Sequence, residues 1–433
     1  MERLLQRVVQ VKREEIPLVL WSFAYFFCLL AAYYMIRPVR DEMAVQYGPE
    51  RLQHLFTATF VTMIALIPLF GWLASRLPVN RLLPVVYVTF AAILAVFFAV
   101  LAGGAERVAV APFFFVFVSV FNLFVVSVFW SFMADLYSTE ASRRLFGFIS
   151  AGGSLGAIAG PIGANVLVRY VGVDSLLLAS AGTLLVTLVC IGALLRVSGS
   201  KRLLRGSAEP GAAPASLWIG VRRIARSPYL AAICLFVVCY TVLGTLLYFQ
   251  QVSLVKQAVP DTATRTQLFA TVDLAVNALT LLTQFFLTGR LLSRLGATAM
   301  LVALPVVSVA GFLALGAFNL LPVLVAVGVL RRVGEFAISK PTRETLFTVV
   351  PQEDKYQAKN VIDTVIHRGG DAASSWFAAG LQSAGLSLAG MAFAGVPIAA
   401  LWLATALYLG RKHERLRAAP AASASASASA APA

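Results

Sequence analysis

Long apolar runs alternate with short polar intervals along almost the whole chain. Each run is close to the roughly 20 residues that a helix needs to cross the hydrocarbon core of a bilayer. The pattern therefore predicts membrane-spanning helices. Six predicted segments precede residue 197, at 17–40, 53–75, 82–102, 109–133, 145–170 and 175–196. Six more follow residue 227, at 229–251, 267–290, 296–317, 320–348, 358–383 and 388–410.

The polar intervals predict four parts of the chain. Residues 1–196 form a six-helix bundle with a short cytoplasmic lead-in, and residues 228–411 form a second six-helix bundle. A basic cytoplasmic linker, 197–227, joins them, and an Ala/Ser/Pro tail, 412–433, is predicted to be disordered. The predicted fold class is an all-α membrane protein with twelve transmembrane helices in two bundles.

The composition is typical of a membrane protein, and the sequence contains no motif that indicates an enzyme. Hydrophobic residues make up 59% of the chain and charged residues 13%, whereas soluble domains have about half apolar and a quarter charged residues. All four cysteines lie in apolar stretches and are interpreted as small hydrophobic residues. No phosphate-binding loop or metal-ligand spacing occurs, and the loops are too short for a soluble domain. We predict no catalytic residue, no metal and no cofactor, and hence no enzyme.

We attribute the net charge of +15 to basic residues that orient the protein in the membrane, and not to a surface that binds nucleic acid. Lys and Arg concentrate in the loops of one side of the predicted arrangement, which the positive-inside rule assigns to the cytoplasm. This distribution predicts a multi-pass protein of a bacterial inner (cytoplasmic) membrane, with both termini cytoplasmic. The expected partners are the lipid bilayer and a small-molecule solute, not nucleic acid, and a monomer is favoured.

Charges also occur inside the predicted segments. Segment 1 carries Arg37, Arg40 and Asp41 at i, i+3 and i+4, on one helix face. Segment 4 ends at Asp135. Segment 10 carries six charged residues: Arg331, Arg332, Glu335, Lys340, Arg343 and Glu344. Two six-helix halves around a basic loop resemble the layout of the major facilitator superfamily, in which segments 1, 4, 7 and 10 line the central path. Segment 7 offers only neutral polar groups here.

A charge at mid-bilayer costs on the order of 2.5–3.5 kcal/mol by insertion scales, so it faces a pore or a partner. Arginine suits phosphate because its planar fork donates two parallel hydrogen bonds. The predicted substrate-binding residues are Arg37, Arg40, Arg343, Lys340 and Arg332. If cations from both halves face one chamber, their repulsion favours a polyanionic ligand and disfavours reorientation without it. The alternatives are structural ion pairs, or, for segment 1, residues that mark the water interface.

The acidic residues are predicted to balance these cations. Glu335 lies one turn from Arg331, and Glu344 one turn from Lys340, so two local ion pairs are expected. The predicted gating or counter-charge residues are Asp41, Asp135, Glu335, Glu344, Asp363 and Arg368. Asp273 and Asp363 are also candidate proton sites, although a counter-ion role is favoured for each.

Segment 5 has glycines at every fourth position, Gly152, Gly156 and Gly160, which predict close packing against another helix. With Gly147 and Pro161 the spacing also resembles the glycine motif of facilitator-type antiporters, although Ala164 replaces its next glycine.

Four stretches of the chain carry a further resemblance. Ile36-Arg37-Pro38-Val39-Arg40-Asp41 is similar to Leu-Arg-Asp-Thr-Lys-Asp of the ATP/ADP translocases, the family of nucleotide transporters of plastids and intracellular bacteria. Phe129-Trp130-Ser131-Phe132-Met133-Ala134-Asp135 is similar to its Phe-Trp-Gly-Phe-Ala-Asn-Glu. Pro341-Thr342-Arg343-Glu344 resembles its Pro-Thr-Lys-Glu, and Ile362-Asp363 with Arg368 resembles its Ile-Asp-x-x-x-x-Arg.

The resemblance implies that Arg40, Asp135 and Arg343 stand where the family has charged residues important for nucleotide transport. The family's glutamate in segment 7 has no counterpart, because no acid lies between Arg226 and Asp261. The expected function is secondary transport of an anionic solute, with a nucleotide as the candidate, by alternating-access exchange. The alternatives are a proton-coupled antiporter that exports drugs or metabolites, and a non-transporting membrane sensor or assembly protein.

Overall fold

The computed structural model describes residues 12–77, 79–199, 217–351, 358–359 and 361–429, and these are helical almost throughout. Most of the predicted lead-in and linker lies outside the described residues. The chain forms two compact units. The N-terminal unit comprises Met1–Gly211 and Val255–Asn277, and the C-terminal unit comprises Ala212–Leu254 and Ala278–Ala433. The second predicted bundle therefore contributes residues 255–277 to the N-terminal unit.

Six long helices of the N-terminal unit match the first six predicted segments and extend them. They are α1 (Ile16–Tyr47), α2 (Leu52–Arg76), α3 (Val79–Ala102), α4 (Arg107–Leu136), α5 (Thr139–Tyr170) and α6 (Ser175–Gly199). The side chain of Ser138 accepts a hydrogen bond from the backbone N–H of Ala141 and so caps the start of α5. Helix α1 is central, because it packs against α4, α5 and α6. Between α1 and α4 the rings of Phe26 and Phe129 stack with centroids 4.2 Å apart.

The glycines of α5 meet the backbone of α1. A Cβ at Gly152 would lie 2.5 Å from the carbonyl oxygen of Phe23, and one at Gly160 would lie 2.7 Å from that of Ala31. A Cβ at Gly156 would overlap the carbonyl oxygen of Phe27. No larger residue fits at these contacts without moving the backbone, so the predicted close packing is confirmed.

The remaining helices are interrupted more often. They are α7 (Leu217–Arg226), α8 (Pro228–Ala258), α9 (Thr262–Thr283), α10 (Gly289–Ala317), α11 (Leu321–Gly334), α12 (Lys340–Leu346), α13 (His367–Ser383) and α14 (Leu388–Ser429). Three π-helical turns lie between them, at Gln284–Thr288, Glu335–Ser339 and Val361–Ile366. Helix α14 continues to Ser429, into the tail for which the sequence predicts disorder. Alanine is the best helix former, and it is abundant in this tail.

Among the described residues, nine helices are long and apolar enough to cross a membrane. One of them, Thr262–Ala317, covers predicted segments 8 and 9, and it bends at Gly296, where φ is 78°. A positive φ of this kind is accessible to glycine without strain. Segments 10 and 11 fall outside this set because their sequences are more polar and more charged. The structure is the predicted all-α membrane fold, and its helices fit twelve membrane segments.

Candidate functional site

The charged stretch of α1 lies within the helix and not at its end. Helix α1 continues past it to Tyr47, and the exposed fractions of Asp41 and Glu42 are 5% and 0%. Their burial favours the alternative of structural ion pairs over residues that only mark a water interface.

Arg37 is held by a carboxylate from α9. Its Nη1 lies 3.2 Å from Oδ1 of Asp273, whose side chain is only 2% exposed. The guanidinium also lies 5.6 Å from the ring centroid of Tyr34. Asp273 thus has the counter-ion geometry that the sequence analysis favours over a proton site.

Arg40 is paired with its neighbour in the chain. Its Nη2 and Nε donate to Oδ1 of Asp41 over 2.7 and 3.0 Å, and its guanidinium lies 5.1 Å from the ring centroid of Phe115.

Sequence reasoning missed Glu42, which accepts a hydrogen bond of 2.6 Å from Gln46 and lies 3.9 Å from Nη1 of Arg265. The i, i+4 spacing of Glu42 and Gln46 was the available signal.

Asp135, near the end of α4, is exposed and makes no ion pair with any residue of the described ranges. The structure therefore places it apart from the paired arginines of α1. Its predicted gating role stays a prediction.

The C-terminal unit contains an open pocket of about 370 Å³ at the π turn between α11 and α12. Its lining comprises Phe236, Val237, Tyr240, Glu335, Ser339, Lys340 and Arg343. Three residues predicted to form the site, Glu335, Lys340 and Arg343, therefore meet at one pocket. Helix α8 contributes the aromatic wall, although the sequence of segment 7 offers no charge there.

The two local ion pairs predicted for segment 10 are wrong. Glu335 accepts a hydrogen bond from the hydroxyl of Tyr240 in place of an ion pair with Arg331. Glu344 pairs with Lys359, and Lys340 makes no ion pair with a residue that the structure describes. Helical spacing allows the local pairs, but partners from other helices compete successfully for both carboxylates.

Arg343 finds its partner in the next segment. Its Nη2 donates to Oδ1 of Asp363 over 3.0 Å, and the side chains are 12% and 38% exposed. Asp363 therefore acts as a counter-ion, as Asp273 does for Arg37. Arg332, about three helical turns earlier in the same segment, is half-buried.

Helix α13 adds a cluster around Asp371, which lies one helical turn after His367 in the sequence. Oδ2 of Asp371 lies 3.7 Å from Nδ1 of His367 and 3.8 Å from Nη1 of Arg368. The rings of His367 and Tyr240 are 5.9 Å apart, so this cluster adjoins the pocket wall. The i, i+4 spacing of His367 and Asp371 was the signal for it.

The π turn that carries the pocket is stabilised by side chains from the π turn after α9. Pro341 has no N–H for the carbonyl of Ala337, four residues earlier. That carbonyl accepts a hydrogen bond of 2.8 Å from Oγ1 of Thr288 instead. The carbonyl of Phe336 accepts one of 3.1 Å from Nε2 of Gln284. Backbone polar groups freed inside a membrane helix need partners of this kind.

The N-terminal and C-terminal clusters belong to different units. The convergence of Arg40 and Arg343 on one chamber stays a prediction.

Charged groups held inside a bundle of apolar helices are typical of membrane transporters, and comparisons with known proteins agree with that class. The family model of the Major Facilitator Superfamily matches residues 22–355. The chain belongs to this superfamily and is a secondary transporter of a small molecule across a lipid bilayer.

Solved structures share the fold at low sequence identity. A bacterial homologue of the human lysosomal transporter Spinster, inward-facing and unoccupied, is 14% identical with a TM-score of 0.57, and the match covers 94% of this chain and 97% of that one. A bacterial homologue of the iron transporter ferroportin is 13% identical with a TM-score of 0.62, over 92% and 98%. The POT family transporter PepTSo is 13% identical with a TM-score of 0.63, over 92% and 98%. No curated protein sequence matches the chain.

Proposed function

We propose that this transporter exchanges an anionic solute of the nucleotide type by alternating access. The observation that carries the proposal is the pocket of the C-terminal unit, where Lys340 and Arg343 lie beside the rings of Phe236 and Tyr240.

The chemistry of this lining suits a solute with a phosphate and a flat base. Lysine provides a point charge and arginine a planar fork for phosphate oxygens. Aromatic rings offer a face on which a base can stack, which contributes about 1–3 kcal/mol per base in nucleic-acid complexes. A simple inorganic anion would use the cations but not the rings.

Two features allow Lys340 and Arg343 to bind an incoming phosphate. Lys340 is exposed and makes no ion pair within the described part of the chain. Arg343 is held by Asp363, a carboxylate that is itself 38% exposed. A phosphate that arrives can take the place of Asp363 at Arg343, and departure of the phosphate restores the pair.

We assign Arg37, Arg40 and Arg332 to the same solute, as the sequence analysis predicts. Arg37 and Arg40 are balanced by Asp273 and Asp41. Asp41, Asp135, Glu335, Glu344, Asp363 and Arg368 would then serve as counter-charges that exchange partners during the transport cycle. The resemblance of Arg40, Asp135 and Arg343 to residues of nucleotide transporters supports this assignment.

The test is counterflow in liposomes that contain the purified protein. Vesicles are preloaded with unlabelled ATP, ADP or orthophosphate, and uptake of each labelled compound is measured without a pH gradient. We expect uptake that depends on an internal nucleotide. Arg343→Gln and Lys340→Gln should each lower the uptake rate at least several-fold, whereas Arg169→Gln, at an exposed arginine of α5, should not change it.

Three results would contradict the proposal. Absence of counterflow with all three compounds would remove the nucleotide-type solute. Export of amphiphilic compounds driven by a pH gradient, and lost in Asp273→Asn or Asp363→Asn, would identify the proton-coupled antiporter. If Arg40→Ala and Arg343→Ala left the biological role of the protein unchanged, a sensor or assembly protein would be favoured.

We also propose a bacterial inner membrane with both termini in the cytoplasm, on the basis of the Lys/Arg bias of the loops. Single cysteines placed near each terminus in a variant without native cysteines test this. Both should react with a membrane-impermeant maleimide only after the cells are opened, and labelling in intact cells would reverse the orientation.

A further inference from the structure

Arg331 is a buried cation that makes no direct ion pair with a described residue, although the carboxylate of Asp371 attracts it at longer range. It lies near the end of α11 and is 7% exposed. Within the described residues, its Nε and Nη1 atoms have no hydrogen-bond partner and no carboxylate forms an ion pair with it. Glu335, the acid one turn away, is bonded to Tyr240 instead.

The guanidinium lies behind one wall of the pocket. Its Cζ is 5.3 Å from the ring centroid of Tyr240, a residue that lines the pocket together with Glu335. Its Nη2 occupies the space where a side chain of residue 244 would be, because a Cβ at Gly244 would lie only 2.8 Å from it. The absence of a side chain at Gly244 of α8 therefore leaves room for the guanidinium.

Such an arrangement is unfavourable for a protein without its ligand. A buried N–H group without an acceptor costs free energy, and more so when the group is charged. Attraction to the ring of Tyr240 offsets only a part of this cost. An oxyanion would satisfy both the charge and the two N–H groups.

We propose that Arg331 is a second oxyanion-binding residue of the pocket, which binds a phosphate group of the solute once the Tyr240–Glu335 hydrogen bond opens. The inference rests on the proposed function, because it concerns the same pocket. It assigns Lys340 and Arg343 to the open side and Arg331 to the buried side. A solute with more than one phosphate, or a phosphate and another oxyanion, can engage both.

The test measures thermal unfolding of purified protein in detergent with and without orthophosphate, ADP and ATP, together with direct binding by calorimetry. Arg331→Met removes a buried charge that has no direct ion pair and keeps an unbranched, flexible side chain. We expect its melting temperature without ligand to equal or exceed that of the wild type. We expect its ligand-induced rise in melting temperature to vanish and its Kd to increase about tenfold or more.

Gly244→Ala keeps the charge and displaces the guanidinium, so it tests position separately. We expect a smaller loss of affinity, about threefold to tenfold, since the guanidinium can shift by a few tenths of an ångström. Gly328→Ala, in the same helix as Arg331 and with open space at its Cβ, is the matched control and should bind as the wild type does.

The possible results distinguish the inference about Arg331 from the proposed function. If Arg331→Met lowers the melting temperature and retains the ligand response, Arg331 only supports Tyr240 and the inference is overturned while the proposed function stands. If the wild type binds orthophosphate through Arg331 but shows no nucleotide counterflow, the inference stands and the proposed function fails. If the wild type responds to none of the three compounds, both fail.

Discussion

The two clusters of charge differ in how completely they are neutralised. In the N-terminal unit, Arg37 is paired with a carboxylate that is 2% exposed, and Arg40 with the adjacent Asp41. In the C-terminal unit, the partner of Arg343 is 38% exposed. Neither Lys340 nor Arg331 pairs with a carboxylate in the part of the chain that the structure covers. Similar residues thus form buried ion pairs in one unit, whereas in the other they line an open pocket and are paired less completely within the described residues.

The backbone shows the same contrast. Helix α1 is regular through Pro38 and packs directly against the glycines of α5. Three π turns divide the helices of the C-terminal unit, and one of them carries Glu335 and Ser339 of the pocket. Because π turns weaken the regular hydrogen-bond pattern and recur at functional sites, the second unit is the one suited to local rearrangement.

The largest predicted effect is a difference in stability loss between the ion pairs Arg37–Asp273 and Arg343–Asp363 when each loses its carboxylate. Asp273→Asn leaves Arg37 without a negative partner in a buried site, which costs about 3–5 kcal/mol. Asp363→Asn removes a more exposed partner and should cost about 1 kcal/mol or less. Unfolding of each variant by SDS in mixed micelles measures both changes.

The double variant Arg37→Met with Asp273→Leu is the control for this comparison. It removes the pair without leaving an unpaired charge, so most of the lost stability should return. Equal losses for Asp273→Asn and Asp363→Asn would show that the two clusters do not differ in the way described.

A second effect should come from the contact between α1 and α5. In Gly156→Ala the new Cβ meets the backbone carbonyl of Phe27, which cannot move as a flexible side chain can. We expect a loss of about 1–3 kcal/mol, read in the same SDS titration. Gly147→Ala, in the same helix with open space around it, should be neutral or slightly stabilising. A tolerated Gly156→Ala would contradict a tightly packed N-terminal unit.

The sequence predicts the helices and the charged positions, but not which charges meet. Apolar runs locate the segments because the bilayer fixes their length. The glycines at every fourth position of α5 predict close packing, because glycine has no side chain that would keep the two helices apart. Local spacing fails for Glu335 and Glu344, since Tyr240 and Lys359 reach them from other elements.

The π turns have only a weak signal in the sequence. Pro341 indicates that the carbonyl of Ala337 loses its helical partner. Nothing in the local sequence identifies Thr288 as the replacement, because the two residues meet only after the helices pack. The pocket and the position of Arg331 against Gly244 depend on the same packing, so they also require the structure.

The smallest effect should test the hydrogen bond that stabilises the π turn at the pocket. Thr288→Val removes the donor to the carbonyl of Ala337 and keeps the shape of the side chain, so we expect a loss of about 0.5–1.5 kcal/mol. Thr183→Val in the N-terminal unit is the matched control. The hydroxyl of Thr183 donates to the carbonyl of Ala179, four residues earlier in its own helix, which already has a backbone partner, so the change should cost only a few tenths of a kcal/mol. A loss at Thr183 equal to that at Thr288 would mean that the π turn does not depend on its partner from the preceding π turn.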